Sequence, residues 1–182
     1  MVLRVNIIWP IILLIIGILM AWPFIGPVLG WSSSENVTKE GWQIGKCSRV
    51  IDGDTIVVEV QGVSYTVKYL GAEAPFPGDA LRPSEVLAKE ATAKNKELVA
   101  SRQVYLEGDI NDLDMQGRYM RYVRTNVGSI MMPRIVMVNE EMIKNGLARS
   151  VTMGANDKYQ KILDAAEKYA KERKLGLWSI IK

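Results

Sequence analysis

The chain has 182 residues, of which 48% are hydrophobic and 24% charged, and its formal net charge is +3. This length predicts one globular domain of about 100 to 150 residues with an additional segment, and the mild positive charge permits nucleic-acid binding without requiring it. Histidine is absent and Cys47 is the single cysteine, which excludes His-ligated zinc, a histidine general base and an internal disulfide.

The N-terminal segment is strongly apolar. It has no charged side chain between Val5 and Ser34, and its apolar run is long enough to cross a hydrocarbon layer about 30 Å thick. We therefore expect residues 1–31 to be a transmembrane anchor or an uncleaved signal of a single-pass membrane protein with an extracytoplasmic domain. A cleaved signal peptide is the alternative. Polar residues 32–41 are typical of a linker, which leaves residues 42–182 for the domain.

The first part of the domain predicts a three-stranded meander. Segments 44–50, 55–60 and 63–70 are rich in β-branched and aromatic residues, and Gln61-Gly62 is typical of a hairpin turn. Between the first two strands the chain reads VIDGDT. Asp52-Gly53-Asp54 predicts a turn, because Asp and Gly tolerate positive φ. A binding site for a metal ion is the alternative interpretation.

The remainder of the domain predicts three further strands, the last of them short, and three helices. Apolar residues recur at helical spacing after Pro83-Ser84 and again within 158–174, and Asn139 is placed to cap a short helix that ends at Gly146. Strands are expected over 103–107, 118–125 and, briefly, 147–151. Together these elements predict an α+β fold built on a five-stranded OB-type β-barrel with about three helices, a shape that often binds nucleic acid.

Six short motifs, in a fixed order, resemble the staphylococcal nuclease, or thermonuclease, family. They are VIDGDT at 50–55, KYLGAEAP at 68–75, KEATA at 89–93, DMQGR at 114–118, VNEEMIKNGLA at 138–148 and KLGLWS at 174–179. The resemblance covers about 130 residues. It implies a calcium-dependent phosphodiesterase that acts on DNA and RNA and is built on an OB barrel.

The resemblance also implies roles for individual residues. The calcium ligands would be the carboxylates of Asp54 and Glu73 and the backbone carbonyl of Ala74, with Glu73 standing where the family usually has Asp. The catalytic cations that hold the phosphate would be Arg118 and Lys68. Lys68 replaces a family arginine and loses its two-pronged hydrogen bonding to phosphate.

Two departures from the family predict reduced activity. The family's general base, a glutamate, falls on Phe76, which cannot accept a proton, and Asp79 or Glu85 is the candidate replacement. Aromatic side chains that would stack on bases are also missing at Gln116 and within 151–153. We expect slow hydrolysis of DNA or RNA, with a catalytically inactive nucleic-acid-binding or protein-interaction module as the alternative. The choice between DNA and RNA and the oligomeric state stay open.

Overall fold

The computed structural model of the chain describes residues 37–76 and 84–179. In this part of the chain no helix is long and apolar enough to cross a membrane. The longest helix there has 16 residues and includes charged side chains, whereas a span needs about 20 mostly apolar residues. The finding contradicts the predicted single-pass membrane localisation. The segment 1–31 lies outside the described residues, and the predicted domain boundaries stay predictions.

The described residues contain eight strands and three α-helices. In chain order they are β1 (Gln43–Val50), β2 (Thr55–Val60), β3 (Val63–Tyr69), β4 (Ala72–Glu73), α1 (Ser84–Val99), β5 (Gln103–Glu107), β6 (Tyr119–Asn126), β7 (Ile135–Met137), α2 (Val138–Lys144), β8 (Arg149–Ser150) and α3 (Gln160–Glu172). A short 3-10 helix, Gly176–Ser179, follows α3.

Five of the strands close into a barrel. Antiparallel pairing joins β1 to β2, β2 to β3, β1 to β5 and β5 to β6. A parallel pairing of β3 with β6 completes the ring. Because each of the five strands has a neighbour on both sides, the barrel has no free edge. The predicted α+β fold with an OB-type barrel and three helices is confirmed.

Local sequence explains the hairpin of β2 and β3. Gln61 and Gly62 both have positive φ, 52° and 78°, which is the geometry that a two-residue turn between twisted strands requires. Alternate residues of β2 are buried: Ile56, Val58 and Val60 face the interior. Buried side chains of all three helices join the same hydrophobic cluster as the barrel strands, so the barrel and its helical cover share one core.

Asn139 does not cap a helix, contrary to the prediction. The residue before α2 is Met137, and its side chain makes no capping hydrogen bond. Asn139 lies inside the helix and is fully buried. Its amide nitrogen donates to the carbonyls of Leu70 and Arg121, and its amide oxygen accepts from the backbone N–H of Val123. Buried backbone N–H and C=O groups need hydrogen-bond partners, and the Asn139 side chain supplies them here instead of capping the helix.

Candidate active site

The bend that carries Asp54 fits tightly between two neighbouring segments. Its residues form the predicted turn, in which the backbone N–H of Asp54 donates to the side chain of Asp52 over 3.0 Å. Gly53 lies so close to its surroundings that an added Cβ would come within 2.6 Å of the Ala74 Cβ and 2.7 Å of the Ala91 Cβ. Real Cβ atoms do not approach that closely, so glycine is required here for packing.

Asp54 is a buried carboxylate with every oxygen in use. Only 2% of the residue is exposed. Its Oδ1 accepts hydrogen bonds from the Lys68 ammonium at 2.5 Å and the Thr55 hydroxyl at 3.0 Å, and its Oδ2 accepts from the Ala74 backbone N–H at 2.6 Å. Burial raises the pKa of the Asp54 carboxyl, and the neighbouring Lys68 ammonium opposes that rise without cancelling it.

The parallel pairing of β3 and β6 brings the two predicted phosphate-binding cations together. Lys68 of β3 lies opposite Met120 of β6, and Arg118 precedes Met120 by two residues. Since side chains two apart on an extended segment share a face, Lys68 and Arg118 are directed to the same side. Both line one open cavity of about 560 Å³.

The turn before β6 fixes the position of Arg118. Asp114 accepts hydrogen bonds from the backbone N–H and the Nε of Arg118, at 2.9 and 2.6 Å. Gly117 has φ of +72°, a conformation that side chains of other residues disfavour. Burial raises the pKa of Asp114, but hydrogen bonds from Arg118 and Gln116 outweigh it, so the pKa is lowered overall. The aspartate is thus charged at neutral pH and orients the guanidinium.

The rest of the cavity wall is mostly aliphatic. Ile110, Leu113, Met115, Met120 and Met153 contribute to it, and none of its described residues is aromatic. Its two carboxylates, Asp112 and Asp114, are each paired with an arginine, Arg121 and Arg118. The described lining therefore offers the N–H donors of two cations and apolar surface to a ligand, but no ring on which a base could stack.

The donor set does not fit a calcium ion. Calcium takes six to eight oxygen ligands, usually from several carboxylates. Here both oxygens of Asp54 already accept hydrogen bonds, one of them from the Ala74 N–H. Glu73 is exposed on β4, opposite Arg149 of β8. Within the described residues no group of three acidic, histidine or cysteine side chains is close enough to hold a metal. The predicted ligand set of Asp54, Glu73 and Ala74 stays a prediction.

No carboxylate replaces Phe76 in the described residues. Phe76 itself is 58% exposed. Glu85, one candidate base, is exposed at the start of α1, where it pairs with Lys89 over 2.8 Å, and it is not among the described residues that line the cavity. The other candidate, Asp79, lies outside the described residues. The structure thus places Lys68, the partner of Asp54, in one cavity with Arg118. The carboxylates described in the lining of that cavity are already paired with arginines.

Two buried polar residues that support the site were missed by the sequence analysis. Tyr69 donates its hydroxyl hydrogen to the Asn95 side chain over 2.6 Å, and Asn95 in turn donates to the Asp52 carbonyl over 2.8 Å. Both are fully buried. This chain of hydrogen bonds ties α1 and β3 to the bend that carries Asp54. The sequence does contain a signal for Asn95, because this polar residue interrupts the apolar face of α1. A buried Asn needs hydrogen-bond partners.

Comparison with known proteins agrees with this geometry. The sequence model of the family described as "Staphylococcal nuclease homologue" matches residues 66–180. The chain is 32% identical to the thermonuclease of Staphylococcus hyicus over 146 residues, which cover 80% of this chain and 82% of that protein. It is 37% identical to the endonuclease YncB of Bacillus subtilis (strain 168) over 136 residues, 72% of this chain and 59% of that protein. The chain belongs to the staphylococcal nuclease family.

Proposed function

We propose that the domain hydrolyses phosphodiester bonds of DNA or RNA at a rate well below that of a nuclease with a complete set of catalytic residues. One observation carries the proposal: Lys68 of β3 and Arg118, which directly precedes β6, line the same cavity, and Lys68 is hydrogen-bonded to the buried carboxylate of Asp54. Two cations on one wall of a cavity are suited to a phosphate group. Nuclease relatives that match most of the chain support the same conclusion.

The two cations would act together on the phosphate group. Water attacks phosphorus, a new P–O bond forms, and the water proton passes to solvent. The bond to the leaving oxygen breaks, and that oxygen keeps the bonding electron pair and takes a proton from solvent. Arg118 is held rigidly by Asp114, so its remaining N–H groups can stabilise the charge that builds on the phosphate oxygens. Lys68 supplies a second positive charge beside them.

The phenylalanine at the family's general-base position limits the rate. A positioned general base contributes typically about 10² to 10⁴ in rate, and position 76 holds an exposed phenylalanine. Lysine in place of arginine at position 68 removes one bidentate contact to phosphate. The aliphatic cavity wall provides no base stacking, which would contribute about 1 to 3 kcal/mol per base. Slow turnover and weak substrate affinity follow together.

Calcium dependence is a separate prediction that comes from the family resemblance. It concerns the ligand set of Asp54, Glu73 and Ala74, and no catalytic step above depends on it. The same cleavage assay, run with millimolar Ca²⁺ and with a chelator, tests it directly.

The proposed function is tested by incubating the full chain with single-stranded DNA and RNA oligonucleotides and following cleavage on gels. We expect slow cleavage by the wild-type protein and none by Asp54→Asn, because loss of this carboxylate leaves Lys68 without the partner that positions it. Cleavage by both proteins at the same rate would contradict the proposal. Binding without cleavage by the wild type would favour the alternative, a module that binds nucleic acid without cutting it.

A further inference from the structure

The buried acid of this site already has a positively charged partner inside the protein. Lys68 Nζ lies 2.5 Å from Asp54 Oδ1, and Lys68 also lines the cavity together with Arg118. We infer that the Lys68 ammonium is the resident cation of the site: it neutralises Asp54 and bridges that carboxylate to a phosphate oxygen of the bound nucleic acid, so that phosphate binding needs no divalent metal. The bridging part of this inference rests on the proposed function.

An ammonium group has enough donors for this bridging role, since it carries three N–H groups. Asp54 uses one of them, and no other acceptor for Lys68 is found in the described part of the chain. The Lys68 side chain is 15% exposed, whereas that of Asp54 is 3% exposed. The ammonium therefore lies between the buried acid and the cavity. Two of its donors remain for a ligand that enters from the cavity side.

A divalent ion would have to displace existing partners of Asp54. Besides Lys68, the Thr55 hydroxyl and the Ala74 backbone N–H donate to this carboxylate, and all three would repel or obstruct a metal at these oxygens. The ion pair of Asp54 and Lys68 is formally neutral, so a metal ion at this carboxylate would meet a charge that the ammonium already balances. The existing hydrogen bonds and the charge balance both favour lysine as the cation.

The first test measures whether calcium matters to the wild-type full chain. Binding of a fluorescent single-stranded DNA oligonucleotide with phosphorothioate linkages, which slow cleavage, is followed by anisotropy in EDTA and in millimolar Ca²⁺. Thermal unfolding is recorded in both buffers without DNA. We expect affinities that agree within about twofold and an unchanged melting temperature. A Ca²⁺-dependent gain of about tenfold in affinity, or a rise in melting temperature, would overturn the inference.

The second test removes the ammonium. Lys68→Gln should weaken oligonucleotide binding in EDTA by about tenfold or more, whereas Lys46→Gln, which removes an exposed cation outside the cavity lining, should change it by less than about threefold. Because Lys68→Gln leaves a buried carboxylate unpaired, the double variant Asp54→Asn with Lys68→Gln, a neutral pair of similar size, repeats the measurement. Wild-type affinity in either Lys68 variant would overturn the inference.

These outcomes separate the inference from the function on which it rests. If the wild type binds the oligonucleotide only with Ca²⁺, the proposed function survives and the inference fails. If the wild type neither binds nor cleaves nucleic acid in any buffer, the proposed function fails, and the bridging role of Lys68 fails with it.

Discussion

Single buried polar side chains hold together the segments around the site. Asn139 joins α2 to the end of β3 and to β6 through three hydrogen bonds. Asn95 and Tyr69 hold the bend at Asp52 in a similar way. In both cases an amide side chain substitutes for a backbone partner that the local strand geometry cannot supply. The placement of Asp54 and Lys68 therefore depends on residues that do not line the cavity.

Asn139→Ala tests the importance of such a side chain. The substitution leaves the Leu70 carbonyl and the Val123 N–H without a buried partner, whereas the Arg121 carbonyl keeps the Leu70 N–H. We therefore expect the free energy of unfolding to fall by about 3 kcal/mol. Urea unfolding followed by circular dichroism measures it. Asn145→Ala is the matched control, because Asn145 is exposed and bonds only within its own helix end. A loss no larger than that of the control would show that Asn139 is dispensable.

Phe76→Glu tests whether the missing base limits the rate. Phe76 follows Pro75 directly and is exposed, so a glutamate should fit there without disturbing the core. We expect hydrolysis of single-stranded DNA to rise about tenfold or more, because a carboxylate at this position can accept the proton of the attacking water. Phe76→Gln has the same shape without the basic oxygen. Equal rates for the two variants would contradict this explanation of slow turnover.

At the scale of elements, a buried ion-pair network connects the barrel to the start of α3. Glu107 of β5 accepts hydrogen bonds from Arg124 of β6 at 2.6 Å and from Lys158 and Tyr159, which precede α3. Burial raises the pKa of Glu107, but the hydrogen bonds from Lys158 and Arg124 outweigh that effect and lower it below its usual 4.5. The charged carboxylate thus stabilises the folded state.

Glu107→Gln should therefore destabilise the protein in a pH-dependent way. At neutral pH we expect a loss of about 3 kcal/mol, because Arg124 is left buried without its counter-charge. The stabilisation by Glu107 is present above its unfolded pKa and is lost as pH falls through its lowered folded pKa. The stabilities of the wild type and the variant should converge at acidic pH, below the lowered pKa of Glu107. Glu97→Gln, which breaks an exposed pair with Lys94, serves as the control in the same urea titrations. A difference in unfolding free energy between wild type and variant that is as large in acid as at neutral pH would contradict this role.

The elements that sequence predicts well are those with strong local signals. Gln61-Gly62 places the hairpin of β2 and β3, and the spacing of Leu87, Ala91 and Leu98 places α1, because these signals act over a few residues. The two-residue β4 and the three-residue β7 have no such signal, since their pairing depends on distant segments. Asn139 was misassigned for the same reason: its partners lie 16 to 69 positions away.

At the scale of the whole molecule, closure of the barrel assembles the site. Lys68 and Arg118 are far apart in sequence and meet only because β3 and β6 pair in parallel. Sequence motifs alone indicated both residues, together with Asp54, through the resemblance to a nuclease family. They did not indicate that Lys68 pairs with Asp54, because that contact depends on the register between β2 and β3, where Thr55 lies opposite Lys68.

The most direct test of the central claim, that phosphodiesters are cleaved in this cavity, is the single-turnover cleavage rate of single-stranded DNA by the full chain and by Arg118→Gln. We predict a loss of about 10²-fold or more, because Arg118 stabilises charge that develops in the transition state. Arg102→Gln removes the same charge from an arginine outside the described cavity lining and should leave the rate nearly unchanged. Equal rates for wild type and Arg118→Gln would contradict the assignment of this cavity as the active site.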